Sequence, residues 1–217
     1  MHPRPDADSP FIPPTGPNYE HEAALLAKGM ANIAGVDEAG RGPLAGPVVA
    51  AAVILRPNRI PPGLDDSKKL SAERRALLFD LILRDAFVAW TSMPAAEIDR
   101  RNIRVATLAA MARAAEALPV RPDAVLIDGR DIPPDMRFRT RAIVKGDASS
   151  LSIAAASIVA KVARDRMMEQ ASADFPGYGF SAHVGYGTRL HGEALTRLGP
   201  CAIHRRSFAP VAALSEA

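Results

Sequence analysis

The sequence predicts an α/β fold in which helices flank a central mixed sheet of five strands. Three observations lead to this prediction. Short apolar segments typical of strands occur at five places along the chain. The first two are joined by a Gly- and Pro-rich turn with no helix between them, whereas the later ones alternate with helical patterns. Because a short turn connects antiparallel strands and a helix connects parallel ones, the predicted sheet contains both arrangements.

Each predicted strand has its own sequence signature. Residues 48–55 are apolar throughout, which indicates a strand buried on both faces of the sheet. Residues 87–93 alternate apolar and polar side chains, as a half-buried strand does. The predicted strands span residues 33–37, 48–55, 87–93, 124–127 and 141–144.

The predicted helices are recognised by the residues at their ends. Asn18 and Ser71 are suited to capping the helices that follow them, and Gly29 ends the first of these helices. Pro94 begins a long Ala- and Arg-rich segment. The predicted helices span residues 19–28, 71–84, 94–118, 150–170 and 188–198, so the C-terminal part of the chain is helical.

Length and composition favour one domain preceded by a tail. The chain has 217 residues, of which 48% are hydrophobic and 24% charged, and this composition excludes a wholly disordered protein. A domain of this size buries about 70% of its unfolded surface, so it needs neither disulfides nor zinc. The many prolines of residues 1–18 predict a disordered tail, and residues 19–217 are expected to form a single domain.

The sequence also indicates where the protein acts. No apolar run approaches the roughly 20 residues that span a bilayer, and no secretory signal follows Met1. Cys201 is the only cysteine, which excludes an internal disulfide framework and a cysteine-rich zinc site. We therefore expect a cytoplasmic protein without membrane contact, in which Cys201 is a small packing residue.

The distribution of charge is more informative than its sum. The formal net charge is +3 and the pI is near 9.3. Residues 161–206 are mildly basic, which fits a phosphate-backbone partner and equally fits a solvated helical surface. Both interpretations stay open on the sequence alone.

Four carboxylates lie at the ends of predicted strands or at a junction between a strand and a helix. Asp37 and Glu38 follow the first strand, Asp128 follows the fourth, and Asp147 precedes the long helix. A single acidic residue often ends a strand for structural reasons alone. Strand ends, however, are where sheet enzymes collect functional side chains. Oxygen ligands without cysteine or paired histidine suit the hard cations Mg²⁺ or Mn²⁺.

Asp37 and Glu38 present a geometric difficulty for this metal site. Adjacent residues on a regular strand point to opposite faces of the sheet, so both cannot face one metal ion. The neighbouring Gly35, Gly40 and Gly42 would permit a twist or a bulge at this point.

The segment after these carboxylates is a glycine-rich turn and not a dinucleotide-binding fingerprint. Its spacing differs from that fingerprint, and Pro43 and Pro47 disfavour a helix at this point. Gly40, Arg41 and Gly42 instead expose backbone groups to close approach by a ligand, with the Arg41 guanidinium as an additional donor.

Six segments together resemble bacterial ribonuclease HII, a type 2 ribonuclease H. Each motif alone is modest, but their order and spacing across about residues 31–210 are highly specific. The segments are Ile33-Ala-Gly-Val-Asp-Glu-Ala-Gly-Arg-Gly-Pro-Leu-Ala-Gly-Pro-Val48, Asp66-Ser-Lys-Lys-Leu70, Leu126-Ile-Asp-Gly129, Val144-Lys-Gly-Asp147, Ser152-Ile-Ala-Ala-Ala-Ser-Ile-Val-Ala-Lys161 and Gly185-Tyr-Gly-Thr188.

The resemblance implies a ribonuclease H-like fold and a metal-dependent endoribonuclease. It implies hydrolysis of the RNA strand of RNA–DNA hybrids and incision 5′ to single ribonucleotides embedded in duplex DNA. The products would carry 5′-phosphate and 3′-hydroxyl ends. Two Mg²⁺ or Mn²⁺ ions about 4 Å apart would activate the attacking water and stabilise the leaving 3′ oxygen. The expected partners are hybrids and ribonucleotide-containing duplex DNA, bound by a monomer.

The resemblance also assigns residues. The family's four catalytic and metal-binding acids correspond to Asp37, Glu38, Asp128 and Asp147, the same four that the strand ends select. The ribonucleotide-contacting loop of the family corresponds to Gly40, Arg41 and Gly42, since a 2′-OH donates and accepts hydrogen bonds. Tyr186 corresponds to the tyrosine that packs on the adjacent sugar. Further substrate contacts are expected at Lys68 and Lys69, together with Arg205 and Arg206; a solvated charged face is the alternative for these four.

A tyrosine, an aspartate and three histidines are alternative candidates for roles at the site. Tyr178 also lies between glycines, although the Tyr186 segment fits the family pattern better. Asp165, flanked by Arg164 and Arg166, continues an apolar helix face and rivals Asp147 as the fourth carboxylate, but we interpret it as a structural ion-pair partner. The spacings of His183, His191 and His204 fit neither one helix face nor a ligand pair, so a structural role is favoured over metal binding.

Two other functions remain to be distinguished from this one. The first is another metal nuclease of the same fold, such as a junction resolvase or an integrase, which would not need the Gly-Arg-Gly loop. The second is a non-catalytic hybrid-binding protein, which would not need carboxylates that repel phosphate.

Overall fold

The computed structural model describes residues 16–214, and its strands form one mixed five-stranded sheet. The strands are β1 (Ile33–Ala39), β2 (Val48–Ile54), β3 (Phe87–Met93), β4 (Ala124–Asp128) and β5 (Arg139–Ile143). Their order across the sheet is β3-β2-β1-β4-β5. The pairs β1–β2 and β2–β3 are antiparallel, whereas β1–β4 and β4–β5 are parallel. The predicted five-stranded mixed sheet is therefore confirmed.

Helices precede, connect and follow the strands. They are α1 (Glu20–Leu26), α2 (Ala72–Asp85), α3 (Ala95–Arg101), α4 (Ile103–Glu116), α5 (Leu151–Asp174), α6 (Phe180–His183), α7 (Arg189–Leu198) and α8 (Ala209–Ala212). The hydroxyl oxygens of Ser71, Ser150 and Thr188 cap α2, α5 and α7 by accepting backbone N–H bonds. Within residues 16–214 no helix is long and apolar enough to cross a membrane.

The predicted helix over residues 94–118 is wrong in one respect, because it is two helices that meet at Asn102. Asn102 has a φ of 68°, which breaks the helical path between α3 and α4. Its side-chain oxygen accepts a 3.0 Å hydrogen bond from the Val105 N–H and so caps α4. Asparagine adopts a positive φ more often than most non-glycine residues, and it is a favoured N-cap.

The two faces of the sheet are covered by different helices. On β2, Ala50, Ala52 and Ile54 pack with the α4 side of the core, whereas Ala51 and Val53 pack with α2 and α5. All seven residues of β2 are buried, which explains why its sequence is apolar throughout.

Helix α5 lies directly against β1. A Cβ atom on Gly35 would come within 2.1 Å of the backbone carbonyl carbon of Ser152, so no side chain fits between strand and helix at this point. This close approach places the start of α5 beside the strand that carries Asp37.

The start of α5 is also fixed by α1 and by the residues before it. Residues 1–15 of the predicted tail lie outside the described residues. Asn18, near the end of that tail, is bonded to the start of α5, because its carbonyl accepts a 3.0 Å hydrogen bond from the Leu151 N–H. Glu22 is fully buried, and its Oε1 accepts bonds from the Ser150 hydroxyl at 2.6 Å and the Ser152 N–H at 2.9 Å. A buried carboxylate at a helix N-terminus stabilises that end of the helix. The segment just before α5 is therefore held in place.

Candidate active site

Three of the four predicted carboxylates meet at one edge of the sheet. Asp37, Asp128 and Asp147 each offer a carboxylate oxygen, and these oxygens lie within 4.8 Å of one another. Because β1 and β4 are adjacent and parallel, their C-terminal ends bring Asp37 and Asp128 together. Asp147 lies in the 3₁₀ turn Gly146–Ala148, between β5 and α5.

Backbone hydrogen bonds orient these carboxylates. Asp37 is only 5% exposed, and its Oδ1 accepts a 2.7 Å bond from the Glu38 N–H. The Oδ1 of Asp128 accepts a 2.7 Å bond from the Gly146 N–H. Asp128 therefore fixes the turn that carries Asp147, so the three groups are not independent of one another.

Glu38 points to the other face of the sheet. The pairing of β1 with β2 continues without a bulge from Ala34 to Ala39, so Asp37 and Glu38 alternate as they do on a regular strand. Glu38 lies outside the group of three and contacts the guanidinium of Arg41 at 3.4 Å. It lines a pocket of about 70 Å³ on the α4 side, and Asp128 lines the same pocket. Asp128 thus borders both the group of three and Glu38.

Burial, together with the nearby acidic groups, disfavours the ionised forms of Asp37, Glu38 and Asp147. Burial and the charges of Glu38 and Asp128 raise the pKa of Asp37 well above its usual range. Burial also raises the pKa of Asp147, and Asp128 adds to this increase. Burial raises the pKa of Glu38 despite the opposing charge of Arg41. Cations at this edge would relieve the repulsion, as carboxylate-bound divalent metals do.

Lys68 is the basic residue of the Asp66–Leu70 segment that lies at the carboxylates. Its ammonium is 3.5 Å from Oδ2 of Asp147, and its side chain is 79% exposed. Burial would lower the pKa of Lys68, but the carboxylates of Asp66 and Asp147 outweigh that effect and raise it. Lys69 instead contacts Asp65 at 3.1 Å. The two lysines, predicted as a pair, therefore have different surroundings.

The side chain of Arg205 holds the loop formed by Gly40, Arg41 and Gly42 in place from the protein interior. The Arg205 guanidinium donates bonds to the carbonyls of Gly40 at 2.5 Å, Arg41 at 2.8 Å and Gly46 at 3.0 Å. Arg205 is 0% exposed, so the expectation that it contacts phosphate is wrong. Its neighbour Arg206 is exposed, and the Arg206 backbone N–H donates to Asp99.

A second buried arginine packs against Gly40 and binds the residues that follow the loop. Arg164 on α5 is 1% exposed and donates to the carbonyls of Pro47 at 3.0 Å and Ala45 at 3.2 Å. A Cβ atom on Gly40 would lie 2.0 Å from Nε of Arg164, which explains the glycine. The sequence prediction missed the supporting role of both arginines. For Arg164 a signal existed, because Ala160 and Met168, four residues away on either side, belong to the buried face of α5.

Tyr186 lies beside this loop, whereas Tyr178 does not. The Tyr186 side chain is 44% exposed, and its Cε1 is 3.8 Å from the position that a Cβ on Gly42 would occupy. The Leu44 N–H donates to the Gly185 carbonyl at 2.8 Å, which joins the two loops. Tyr178 is 8% exposed, and its hydroxyl donates to the Gly199 carbonyl at 2.7 Å, so it is a core residue.

Asp165 lies well away from the carboxylates. Helix α5 is continuous from Leu151 to Asp174, and at about 1.5 Å per residue Asp165 lies about 20 Å from the start of the helix. Its carboxylate contacts Lys161 at 2.7 Å. The interpretation of Asp165 as an ion-pair partner is confirmed, and the partner is Lys161. Of the flanking arginines, Arg164 binds carbonyls and Arg166 faces Asp80.

The histidines come closer together than their sequence spacing indicates. The rings of His183 and His191 stack at 4.4 Å, and Nε2 of His191 is 3.0 Å from Nε2 of His204. All three are buried. Their ring nitrogens face one another, backbone groups and the Cys201 sulfur, in a core that also contains Phe180.

The described residues match known proteins along most of the chain. The sequence profile of the family described as Ribonuclease HII matches residues 34–211. A Ribonuclease HII of Azorhizobium caulinodans is 59% identical over 198 residues, which make up 91% of this chain and 76% of that protein.

Two solved structures share the fold. The ribonuclease H2 from Pyrococcus horikoshii OT3 is 27% identical with a TM-score of 0.73, and the match covers 86% of this chain and 98% of that one. Bst-RNase HIII in complex with Mn²⁺ is 21% identical with a TM-score of 0.69, over 97% of this chain and 76% of that one. The second likeness concerns the fold alone.

Proposed function

The chain belongs to the ribonuclease HII family and is a metal-dependent ribonuclease H, and we propose that it incises duplex DNA 5′ to single embedded ribonucleotides. Family membership gives the coarser activity, endonucleolytic cleavage of RNA in RNA–DNA hybrids. The finer activity requires that one ribonucleotide be recognised next to the scissile bond.

One observation carries the finer proposal: the loop of Gly40, Arg41 and Gly42 lies beside Tyr186 and directly after the strand that holds Asp37. Glycines expose backbone donors and acceptors, and these can hydrogen-bond a 2′-OH that bulky side chains would exclude. Tyr186 is exposed and would pack on the sugar of the next nucleotide. Arg205 prevents the loop from collapsing, because it binds the loop carbonyls from the protein side.

The residues present fit divalent cations. Asp37, Asp128 and Asp147 supply oxygen atoms alone and lie close together, and the raised pKa values of Asp37 and Asp147 show that their ionised forms are disfavoured without a positive charge. Such a donor set suits Mg²⁺ or Mn²⁺, and Bst-RNase HIII, which shares the fold, binds Mn²⁺. We propose that these three hold one ion and that Glu38 with Asp128 holds a second. When bound, the ions would lower the pKa of a water nucleophile and stabilise charge on the leaving oxygen.

The protein groups would perform the remaining tasks. Lys68 is exposed beside Asp147 and would contact a phosphate of the cleaved strand, while Lys69 is a weaker candidate because it faces Asp65. Arg41 is held near Glu38 and would donate to the backbone next to the ribonucleotide. Burial of Asp37 and its bond from the Glu38 N–H keep the carboxylate in one orientation before substrate binds.

A comparison of three substrates tests this proposal against its rivals. The substrates are a duplex with one ribonucleotide, an RNA–DNA hybrid and an all-DNA four-way junction, each with Mg²⁺ and with chelator. We expect Mg²⁺-dependent cleavage of the first two alone. Cleavage of the all-DNA junction would favour a junction nuclease, and binding of the hybrid without any cleavage would favour a non-catalytic binder.

A further inference from the structure

A chain of hydrogen bonds runs through the buried histidines to the backbone of Tyr186. The Cys201 N–H lies 2.9 Å from Nδ1 of His204, and Nε2 of His204 lies 3.0 Å from Nε2 of His191. Nδ1 of His191 then lies 2.9 Å from the carbonyl oxygen of Tyr186. His191 is 0% exposed and His204 is 2% exposed, so water does not compete for these bonds.

The direction of this chain follows from its two ends. The Cys201 N–H can only donate, so Nδ1 of His204 accepts and its proton is on Nε2. That proton is donated to Nε2 of His191, which leaves the His191 proton on Nδ1. The Tyr186 carbonyl can only accept, and Nδ1–H of His191 is the donor that it needs. Each ring therefore has one tautomer, and each depends on the other.

Both rings are neutral at neutral pH. Burial lowers the pKa of His204 to about 4, and the neighbouring His191 contributes to this decrease. Burial also lowers the pKa of His191, on which His183 is stacked. A second proton on His204 would direct an N–H at the Cys201 N–H, which is repulsive.

Tyr186 depends on its backbone for position because its side chain is half exposed. Its carbonyl accepts from His191 and from the Thr188 N–H at 2.8 Å, and its N–H donates to the His183 carbonyl at 2.9 Å. The bond from His191 ties the carbonyl of Tyr186 to a fully buried side chain of the core. Loss of this bond would leave the ring of Tyr186 in place on average but less restricted.

We propose that His191 and His204 are positioning residues that fix Tyr186 and thereby set the preference for an RNA–DNA junction over a continuous hybrid. This inference rests on the role proposed for Tyr186 as the residue that packs on the sugar following the ribonucleotide. A continuous hybrid presents a 2′-OH at that sugar, whereas a single ribonucleotide in DNA does not. A looser Tyr186 would distinguish the two less well.

Asparagine and glutamine variants separate this role from simple packing. An asparagine amide lies near the Nδ1 position of a histidine, and a glutamine amide lies near the Nε2 position. His191→Asn keeps a donor to Tyr186 and His191→Gln does not. The order reverses at His204, where His204→Gln keeps a donor to His191 and His204→Asn does not. If the two histidines acted only by packing, the better tolerated substitution would be the same at both positions.

The quantity to measure is the ratio of kcat/KM for a single-ribonucleotide duplex to kcat/KM for a continuous hybrid. We expect His191→Gln and His204→Asn to lower this ratio about fivefold, as the loss of one modest hydrogen bond does. His191→Asn and His204→Gln should stay within about twofold of the wild type. In a Tyr186→Ala background His191→Gln should change the ratio no further, because it acts through Tyr186.

The outcomes separate this inference from the proposed function. If Tyr186→Ala leaves the ratio unchanged, the role proposed for Tyr186 is wrong. If Tyr186→Ala changes the ratio but the paired histidine variants do not differ, the inference is overturned. Imidazole ¹⁵N chemical shifts of the wild type give a test that needs no variant to fold. The proton should reside on Nδ1 of His191 and on Nε2 of His204, and the opposite tautomer at His191 would overturn the inference.

Discussion

The guanidinium of Arg205 donates a 2.5 Å hydrogen bond to the carbonyl of Gly40, a residue 165 positions earlier in the chain. This bond joins the C-terminal part of the protein to the loop that follows Asp37. Arg205 has no carboxylate partner in this contact, and it binds the carbonyls of Arg41 and Gly46 as well. The loop conformation therefore depends on a residue that cannot reach the substrate.

Replacement of Arg205 should disrupt this loop. Arg205→Lys keeps the charge but cannot donate in three directions with the geometry of a guanidinium, so buried carbonyls lose partners. We expect the free energy of unfolding to fall by about 2–4 kcal/mol and cleavage at single ribonucleotides to fall more than tenfold, on the order expected for buried unsatisfied groups. Urea unfolding and cleavage rates measure the two effects. Arg206→Lys, at an exposed neighbour, is the matched control for stability and should leave the free energy of unfolding unchanged.

Removal of either strand-end aspartate should abolish cleavage without abolishing binding. Asp37→Asn and Asp128→Asn each remove a metal ligand and also remove repulsion toward phosphate. We expect turnover to fall by at least about a thousandfold, while the Kd for the uncleaved substrate stays equal or becomes lower. Wild-type turnover in either variant would exclude that residue from the site.

The raised pKa of Asp37 has a consequence for stability in the absence of metal. In the unfolded chain the carboxyl group loses its proton near pH 4, whereas in the folded protein it retains the proton to higher pH. The folded state then binds more protons than the unfolded state, so stability falls as pH rises through this interval. Asp37→Asn should remove this contribution and raise the metal-free Tm at neutral pH.

Bound metal should reverse the order of the Tm values of the wild type and Asp37→Asn. A cation that binds only the folded state stabilises it by mass action. Mg²⁺ or Mn²⁺ should therefore raise the Tm of the wild type and raise that of Asp37→Asn much less. A metal-free wild type that is more stable than Asp37→Asn at pH 8, measured by thermal unfolding in chelator, would contradict this account.

Asp147 and Asp165 should respond differently to the same substitution. Asp147→Asn removes one of the three clustered carboxylates and should reduce turnover at least about a hundredfold with little change in Tm. Asp165→Asn removes a partly exposed pair with Lys161 and should cost about 0.5 kcal/mol or less, with near-normal cleavage. Loss of cleavage in folded Asp165→Asn together with full activity of Asp147→Asn would reverse the assignment.

The sequence predicts the carboxylates well because their meeting depends on topology. Asp37 lies near the C-terminal end of β1 and Asp128 ends β4, and adjacent parallel strands end at the same edge of the sheet. The opposite orientation of Glu38 also follows from strand periodicity, and the unbroken register of β1 with β2 shows that no bulge overrides it.

The parts that the sequence does not predict depend on long-range burial. Arg164 and Arg205 bind carbonyls more than a hundred residues away. The apolar face of α5 gives a local signal for Arg164, but no local pattern distinguishes Arg205 from a surface arginine. His191 and His204 meet because α7 and the following turn fold together, although their spacing fits no regular element. The break at Asn102 depends on a single backbone conformation. The mildly basic C-terminal third consequently includes residues that support the loop as well as solvated ion pairs.

The most direct test of the central proposal is to map the incision in a DNA duplex with one ribonucleotide, end-labelled on the strand that contains it. With Mg²⁺ we predict one cut on the 5′ side of the ribonucleotide, leaving a 3′-hydroxyl on the upstream fragment and a 5′-phosphate on the ribonucleotide. An all-DNA duplex of the same sequence should remain intact. Incision on the 3′ side, or equal cleavage of the all-DNA duplex, would contradict the proposal.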